Sequence, residues 1–216
     1  MLPMLPSIIF DLDGTLWDSS EQVAASWNEV LHEFVGDVYS FSRETVLAQM
    51  GLVMEDIGRN ITPKSLQGED KENFVKVCFM REVEYLQDHP GKLFQDEIIT
   101  LRALKEKGYH LYIVSNCQSG YIETYLNALD EPLFEGHMCY DDTKKSKDFT
   151  IRILMERHHI EKAVYVGDTA TDEAASRGAG IPFIFASYGF GKAKDPDASI
   201  ASISELPAAL DSLLSR

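Results

Sequence analysis

The stretch Ile8-Ile9-Phe10-Asp11-Leu12-Asp13-Gly14-Thr15, which runs on to Ser20 as IIFDLDGTLWDSS, decides the fold. An apolar run ends on two carboxylates with only Leu12 between them. Like charges that close repel, and an apolar strand tip is a costly place to ionise them, so something must compensate. Asp13-Gly14 is by itself a strong hairpin signal, but a hairpin needs a second strand at once. Instead Ser19 opens a helix: Ser19 and Gln22 match a capping box, and Val23, Trp27, Leu31 and Phe34 follow at helical spacing. The two aspartates are therefore expected at the carboxyl end of a parallel strand, where open α/β sheets bind their ligands. Residues two apart along a strand point the same way, so both carboxylates can face one site.

The rest of the chain supports such a sheet. Strands are expected at residues 7–11, 110–115, 136–140, 163–167 and 182–186, with helices at 96–107, 147–158 and 171–178 between them. Ile98, Leu101 and Leu104 share one helical face before Gly108 stops that helix. Strand and helix alternation implies βαβ units and a parallel sheet covered on both faces. ISELPAALDSLLSR reads as a last surface helix. From Ser19 to about Asp88, by contrast, the pattern is helical throughout, and HPGKLF breaks it before the α/β portion resumes. An all-helical insert placed after the first strand reads as a lid. The expected division is a core of residues 1–17 and 89–216 and a helical cap of residues 18–88.

Composition narrows the function. At 216 residues the chain suits one domain carrying a smaller insert. Twenty Lys and Arg against 35 Asp and Glu give a formal net charge of −15, which argues against nonspecific nucleic-acid or anionic-membrane binding. An anionic substrate would then need local positive charge. No run approaches the ~18 apolar residues of a spanning helix, and no signal peptide is expected at the N-terminus. Cys78, Cys117 and Cys139 are widely spaced and form no C-x-x-C pair, which suits reduced thiols in a cytoplasmic protein. His158 and His159 are expected to serve a helix end, not a metal. A monomer is the default expectation.

What offsets the repulsion is expected from a second strand end. In VYVGDTATDEAA an apolar strand ends in Gly167-Asp168, and Asp172 lies one helical turn further on. Asp11, Asp13, Asp168 and Asp172 make an all-oxygen set suited to a hard divalent cation, with Mg²⁺ the best fit. LYIVSNCQSG ends a strand in Ser115-Asn116, which offers a hydroxyl and backbone N–H groups to an anion. One lysine of DDTKKSKDF is needed to neutralise phosphate oxygens and keep the carboxylates ionised. Lys147, where the loop meets the next helix, is the first choice among Lys144, Lys145 and Lys147, and Lys144 the second. Such a constellation is equipped for phosphoryl transfer through an aspartyl-phosphate, with Asp11 attacking phosphorus and Asp13 moving the protons.

These motifs, in the order DLDGT, Ser115, a lysine near 147 and GDTATD, resemble the haloacid dehalogenase superfamily along nearly the whole chain. The resemblance implies a Rossmann-like core with a small helical cap, in the manner of phosphoglycolate-phosphatase-like members. It also implies Asp11 as nucleophile, Asp13 as acid/base, and Ser115, Asn116 and Lys147 around the phosphoryl group. Mg²⁺ would be held by Asp11, the Asp13 backbone carbonyl and Asp168, with Asp172 direct or through water. The expected activity is hydrolysis of a small-molecule phosphate monoester. A second aspartate in the first motif argues against dehalogenation, and Thr15 resembles phosphatases more than sugar phosphomutases; the alternative reading is a sugar phosphomutase of the same superfamily or a non-hydrolytic phospho-binding or switch protein. Receiver domains, which use similar residues as a switch, are about half as long and lack the insert. Substrate choice is expected to lie in QMGLVMEDIGRN, where Arg59 is read as a surface helix residue in preference to a contact for a second anionic group of the substrate.

Overall fold

The computed structural model describes residues 5–215. The chain enters through strand β1 (Ser7–Phe10), turns at Gly14, and forms a two-residue strand, β2 (Trp17–Asp18). Helices α1 (Ser20–Val35), α2 (Arg43–Leu47), α3 (Met54–Ile61) and α4 (Gly68–Asp88) follow without an intervening strand. Strand β3 (Lys92–Leu93) then pairs antiparallel with β2. Alternation follows: α5 (Glu97–Glu106), β4 (Leu111–Val114), α6 (Tyr121–Asn127), β5 (Gly136–Met138), α7 (Tyr140–Thr143) and α8 (Lys147–Arg157). It continues through β6 (Ala163–Gly167), α9 (Ala170–Ala179), β7 (Phe183–Ala186) and β8 (Ala198–Ile200). A 3₁₀ turn at Ile203–Glu205 leads into α10 (Leu206–Leu214).

Six strands form one sheet in the order β5-β4-β1-β6-β7-β8, every neighbouring pair parallel. This is the α/β, Rossmann-like architecture expected from the alternation. β1 is central and fully buried, as a near-continuous apolar run requires. Its side chains alternate between two cores. Ile8 and Phe10 join Ile113, Val166 and Leu210 on one face, while Ile9 joins Tyr165, Ile151 and Leu154 on the other. Phe10 pairs with both Ile113 and Val166, so the residues just after these three strands stand level at one edge. The chain also reverses direction beside β1, filling β4 and β5 on one side before β6 on the other. That reversal is the place where such sheets open a crevice.

The structure differs from the sequence expectations in several local ways. The first strand ends at Phe10, one residue early. The strand expected over residues 136–140 stops at Met138, because Cys139 becomes the N-cap of α7 and the Tyr140 N–H donates to the Cys117 carbonyl. The Ser19–Gln22 capping box does not form. The Ser19 hydroxyl donates to Asp13 instead, and Asp18 takes over the cap by accepting from the Ser20 N–H at 3.0 Å. Helices α6 and α7 and strands β2, β3 and β8 were not expected. Within the helical segment α1 lies along α4, with Phe34 edge-on to Phe74 and the Trp27 indole N–H donating to Glu82. Among the described residues no helix is long and apolar enough to cross a membrane.

One buried carboxyl in the core gives a test of the packing. Glu97, at the start of α5, accepts from the Tyr125 hydroxyl at 2.7 Å and from the Phe94 N–H at 3.2 Å. Burial pushes it up to about 8 from an ordinary 4.5, against the pull of those two donors. Between those values the folded chain binds a proton that the unfolded chain has released, so stability falls as pH rises through the window. Urea unfolding from pH 5 to 8 is expected to show this fall, and Glu97→Gln to make it shallower. Parallel pH profiles for the two proteins would contradict the assignment.

Candidate active site

The level strand ends gather the acidic residues. Asp11 follows β1, and its N–H donates to the Val166 carbonyl at 2.8 Å, which fixes it beside β6. Asp168 follows β6 and Ser115 follows β4. Asp172 lies in the first turn of α9, one of its oxygens accepting from the Thr169 N–H (3.0 Å) and hydroxyl (2.6 Å) in a capping box. Its other oxygen accepts from the Lys147 ammonium at 2.6 Å. Lys147, the first residue of α8, is buried and also donates to Asp11 at 2.9 Å. One cation thus bridges the ends of β1 and α9. Lys144 pairs with Asp141 in an exposed loop, and Lys145 is exposed beside it.

Asp11, Asp168 and Asp172 each present an oxygen within 4.8 Å of the other two, and all three are buried. Asp13 does not join this cluster through its carboxylate, contrary to the four-carboxylate expectation. β1 has ended by Phe10, so strand alternation no longer sets its direction. Its Oδ1 instead accepts from the Trp17 indole N–H (3.0 Å), the Ser19 hydroxyl (2.7 Å) and the Tyr121 hydroxyl (2.9 Å). Asp13 still lines the same cleft as Asp11. Burial raises its carboxyl above the ordinary value, opposed by those three donors. A carboxyl so balanced can both release and accept a proton.

Could the cluster hold a divalent metal? Three carboxylates face one ammonium, an excess of negative charge that a dication would balance. Burial, then Asp172, drives Asp11 well above the ordinary carboxyl value, against the pull of Lys147. Asp168 is pushed up to about 7, again by burial and Asp172. Its Oδ2 accepts from the Phe190 and Gly191 N–H groups, at 2.6 and 3.2 Å, whereas its buried Oδ1 has no partner. An orphaned carboxylate oxygen beside two other carboxylates is a site that fits a hard cation. Gly14, at φ 79°, makes this approach possible: a Cβ there would collide with the Asp168 carboxylate.

Above the cluster lies a cleft between the strand ends and the helical segment. Its floor comprises Asp11, Asp13, Ser115, Asn116 and Lys147, and its opposite wall comes from the helical segment, including Trp27, Met50, Ile57, Phe79 and Glu82. Residues 49–52, 54 and 57 of QMGLVMEDIGRN line it, apart from which Arg59 is exposed and paired with Asp56 at 2.8 Å. The Asn116 side chain donates to the Gly51 carbonyl at 3.0 Å, tying the two walls together and leaving its backbone N–H and second amide hydrogen to offer an anion. His158 ends α8 and packs on Tyr112, away from the cluster.

Sequence reasoning missed the surroundings of Asp13. Trp17 and Ser19 were near enough to suggest themselves, but Tyr121 stands 108 residues away and gave no local signal. Glu82 was also missed, although a signal existed: it falls in phase with Phe74, Cys78 and Leu86 on the buried stripe of α4.

A family model described as haloacid dehalogenase-like hydrolase matches residues 8–186. The chain is 30% identical to a phosphoglycolate phosphatase of Aquifex aeolicus (strain VF5), covering 94% of this chain and 96% of that one. It is 28% identical to the phosphoglycolate phosphatase of Escherichia coli (strain K12), covering 94% and 91%. Among solved structures, a predicted phosphoglycolate phosphatase from Haemophilus somnus superposes with a TM-score of 0.83 at 21% identity, covering 96% and 99% of the two chains. A mutant of CbbY from Rhodobacter sphaeroides, in complex with xylulose-(1,5)-bisphosphate, superposes at 0.79 with 20% identity, covering 96% and 99%. The two structures bear on the fold alone. The chain belongs to the haloacid dehalogenase-like hydrolase family, as a phosphatase of phosphoric monoesters that resembles the phosphoglycolate phosphatases.

Removing the bridging cation should expose the repulsion it offsets. Lys147→Met is expected to lower stability by about 3–5 kcal/mol at pH 8 in chelator, the usual cost of breaking a buried ion pair from one side. At pH 5.5 the deficit should shrink, because protonation relieves carboxylates whose folded values are raised. A deficit independent of pH, measured by urea unfolding, would contradict this electrostatic role.

Proposed function

We propose that this phosphatase hydrolyses a small-molecule phosphate monoester with Mg²⁺, through an aspartyl-phosphate on Asp11. The observation that carries the proposal is the Asp11 carboxylate on the cleft floor, 2.9 Å from the Lys147 ammonium and within 4.8 Å of the Asp168 and Asp172 oxygens. Asp11 and Asp168 would hold the metal together with the Asp13 backbone carbonyl, and Asp172 would join directly or through water. Bound there, Mg²⁺ supplies positive charge against the phosphoryl oxygens.

The chain's own residues divide the remaining work. Ser115, the Asn116 backbone and Lys147 orient the phosphoryl group and screen its charge, so that one anion can approach another. An Asp11 oxygen forms a bond to phosphorus as the bond to the leaving oxygen breaks. Asp13 gives that oxygen its proton. Asp13 then takes a proton from a water whose oxygen bonds to phosphorus, and the acyl phosphate opens to inorganic phosphate and free Asp11. The Trp17, Ser19 and Tyr121 donors hold Asp13 Oδ1 in place during both transfers.

In this reading residues 1–17 and 89–216 form the catalytic core and residues 18–88 a cap that excludes water. β2 crosses the first boundary and pairs with β3 just beyond the second, where one unit would pivot against the other. The enzyme acts as a monomer in the cytoplasm, a setting that suits three buried free thiols.

Hydrolysis of p-nitrophenyl phosphate tests the proposal. Activity is expected to need Mg²⁺, to vanish in chelator, and to fall by at least about 10⁴-fold in Asp11→Asn. An Asp11→Asn protein within tenfold of wild type would remove Asp11 as nucleophile. Asp13→Asn is expected to lose less on this ester than on an alkyl phosphate, because nitrophenolate leaves without a proton.

A further inference from the structure

We propose that the leaving group of the natural substrate carries no second negative charge: the cleft accepts the phosphate ester of a neutral or cationic alcohol, with Glu82 as its polar anchor. This deepens the phosphatase reading above and rests on it.

The first observation is the charge of the cleft. Among the described residues the one cation lining it is Lys147, and that ammonium is held on the floor between Asp11 and Asp172. The wall contributed by residues 18–88 is apolar or uncharged except for Glu82. Nearby basic side chains are engaged elsewhere. Arg43 pairs with Asp18 at 2.6 Å, Arg59 with Asp56 at 2.8 Å, and Arg81 with Glu33 and Glu84. A second carboxylate or phosphate on the substrate would lose its hydration here and find no counter-charge.

The second observation is Glu82 itself, buried at 5% exposure. Oε2 accepts from the Trp27 indole N–H at 2.5 Å, and Oε1 accepts from the Gln118 amide at 3.1 Å. Gln118 also donates to the Phe79 carbonyl at 3.2 Å, which locks the arrangement between α4 and the loop after β4. Both donors are neutral, so no cation compensates the carboxyl. It keeps acceptor capacity for one more donor, and the cleft is where that donor would enter. A substrate hydroxyl or ammonium supplies that donor, whereas a carboxylate or phosphate brings only acceptors to it. Trp27 and Phe79 present aromatic surface for the carbon skeleton or for an alkylammonium. Leaving the wrong partner's polar group desolvated and unpaired is as effective a source of specificity as attraction of the right one.

The inference separates this chain from what its relatives' names describe. Phosphoglycolate carries a carboxylate, and xylulose bisphosphate a second phosphate.

Three esters of one size decide the matter: 2-phosphoglycolate, 2-hydroxyethyl phosphate and 2-aminoethyl phosphate end in a negative, a neutral and a positive group. Each is measured as a competitor of p-nitrophenyl phosphate hydrolysis by the wild-type enzyme with Mg²⁺, and as a substrate by phosphate release. The neutral and cationic esters are expected to compete, and to turn over, at least about tenfold better than phosphoglycolate. Glu82→Gln is expected to narrow that gap by improving phosphoglycolate relative to the hydroxyethyl ester; the wild-type comparison decides alone if the variant does not fold. Competition by phosphoglycolate equal to or better than the others, or none from any of the three, overturns the inference while Asp11-dependent hydrolysis of the aryl ester stands. If the aryl ester itself is not hydrolysed, the phosphatase reading fails and takes the inference with it.

Discussion

The ammonium of Lys147, held between Asp11 and Asp172, is the contact on which the site depends. A parallel sheet that ends β1 and β6 at the same level delivers carboxylates to one buried edge, and desolvation makes their ionisation costly there. Asp11 and Asp172 keep Lys147 well above its ordinary value even though burial pulls it down, so the cation persists where it is needed. Because Lys147 opens α8 and Asp172 closes the capping box of α9, the same ion pair also ties the first turns of the two helices together. Structure and charge balance are here one arrangement.

Around that arrangement the remaining parts divide by chemistry. The loop after β7 supplies two backbone N–H groups to one Asp168 oxygen and leaves the other buried without a partner. A separate network of indole and hydroxyl donors holds Asp13 apart from the cluster, although Leu12 alone separates it from Asp11. Two neighbouring carboxylates thereby acquire different environments, one among like charges and a lysine, the other among neutral donors. Differences of that kind are what let adjacent acids take different roles. The helical segment closes the third side with an apolar wall, which raises the effect of every charge beneath it.

Much of this was legible because it is written in short-range pattern. Apolar runs that end in Asp11, Ser115 and Asp168 mark the strand tips, and the sheet needs little else to bring them together. Lys147 stood out by its position at the start of a helical period. What escaped reading depends on tertiary contact. Ser19 has the residue type and spacing of a helix cap, and only the fold shows that Asp13 takes its hydroxyl first. Tyr121 reaches Asp13 across the whole helical segment. β8 is a short edge strand with Ile200 as its one buried side chain, too little apolar signal to rise above a loop. Glu82 lies in phase with the buried stripe of its helix, and its burial beside Trp27 appears only in the fold.

The central claim is that Asp11 becomes covalently phosphorylated. The most direct measurement is borohydride reduction of the enzyme during turnover with Mg²⁺, followed by mass spectrometry of the peptide that contains IIFDLDGT. An acyl phosphate is reduced to the alcohol, so the account requires homoserine to appear at position 11 in proportion to the trapped intermediate, with Asp13 unchanged. Phosphate release that continues while Asp11 stays an unmodified carboxylate, or reduction located on a different aspartate, would contradict it.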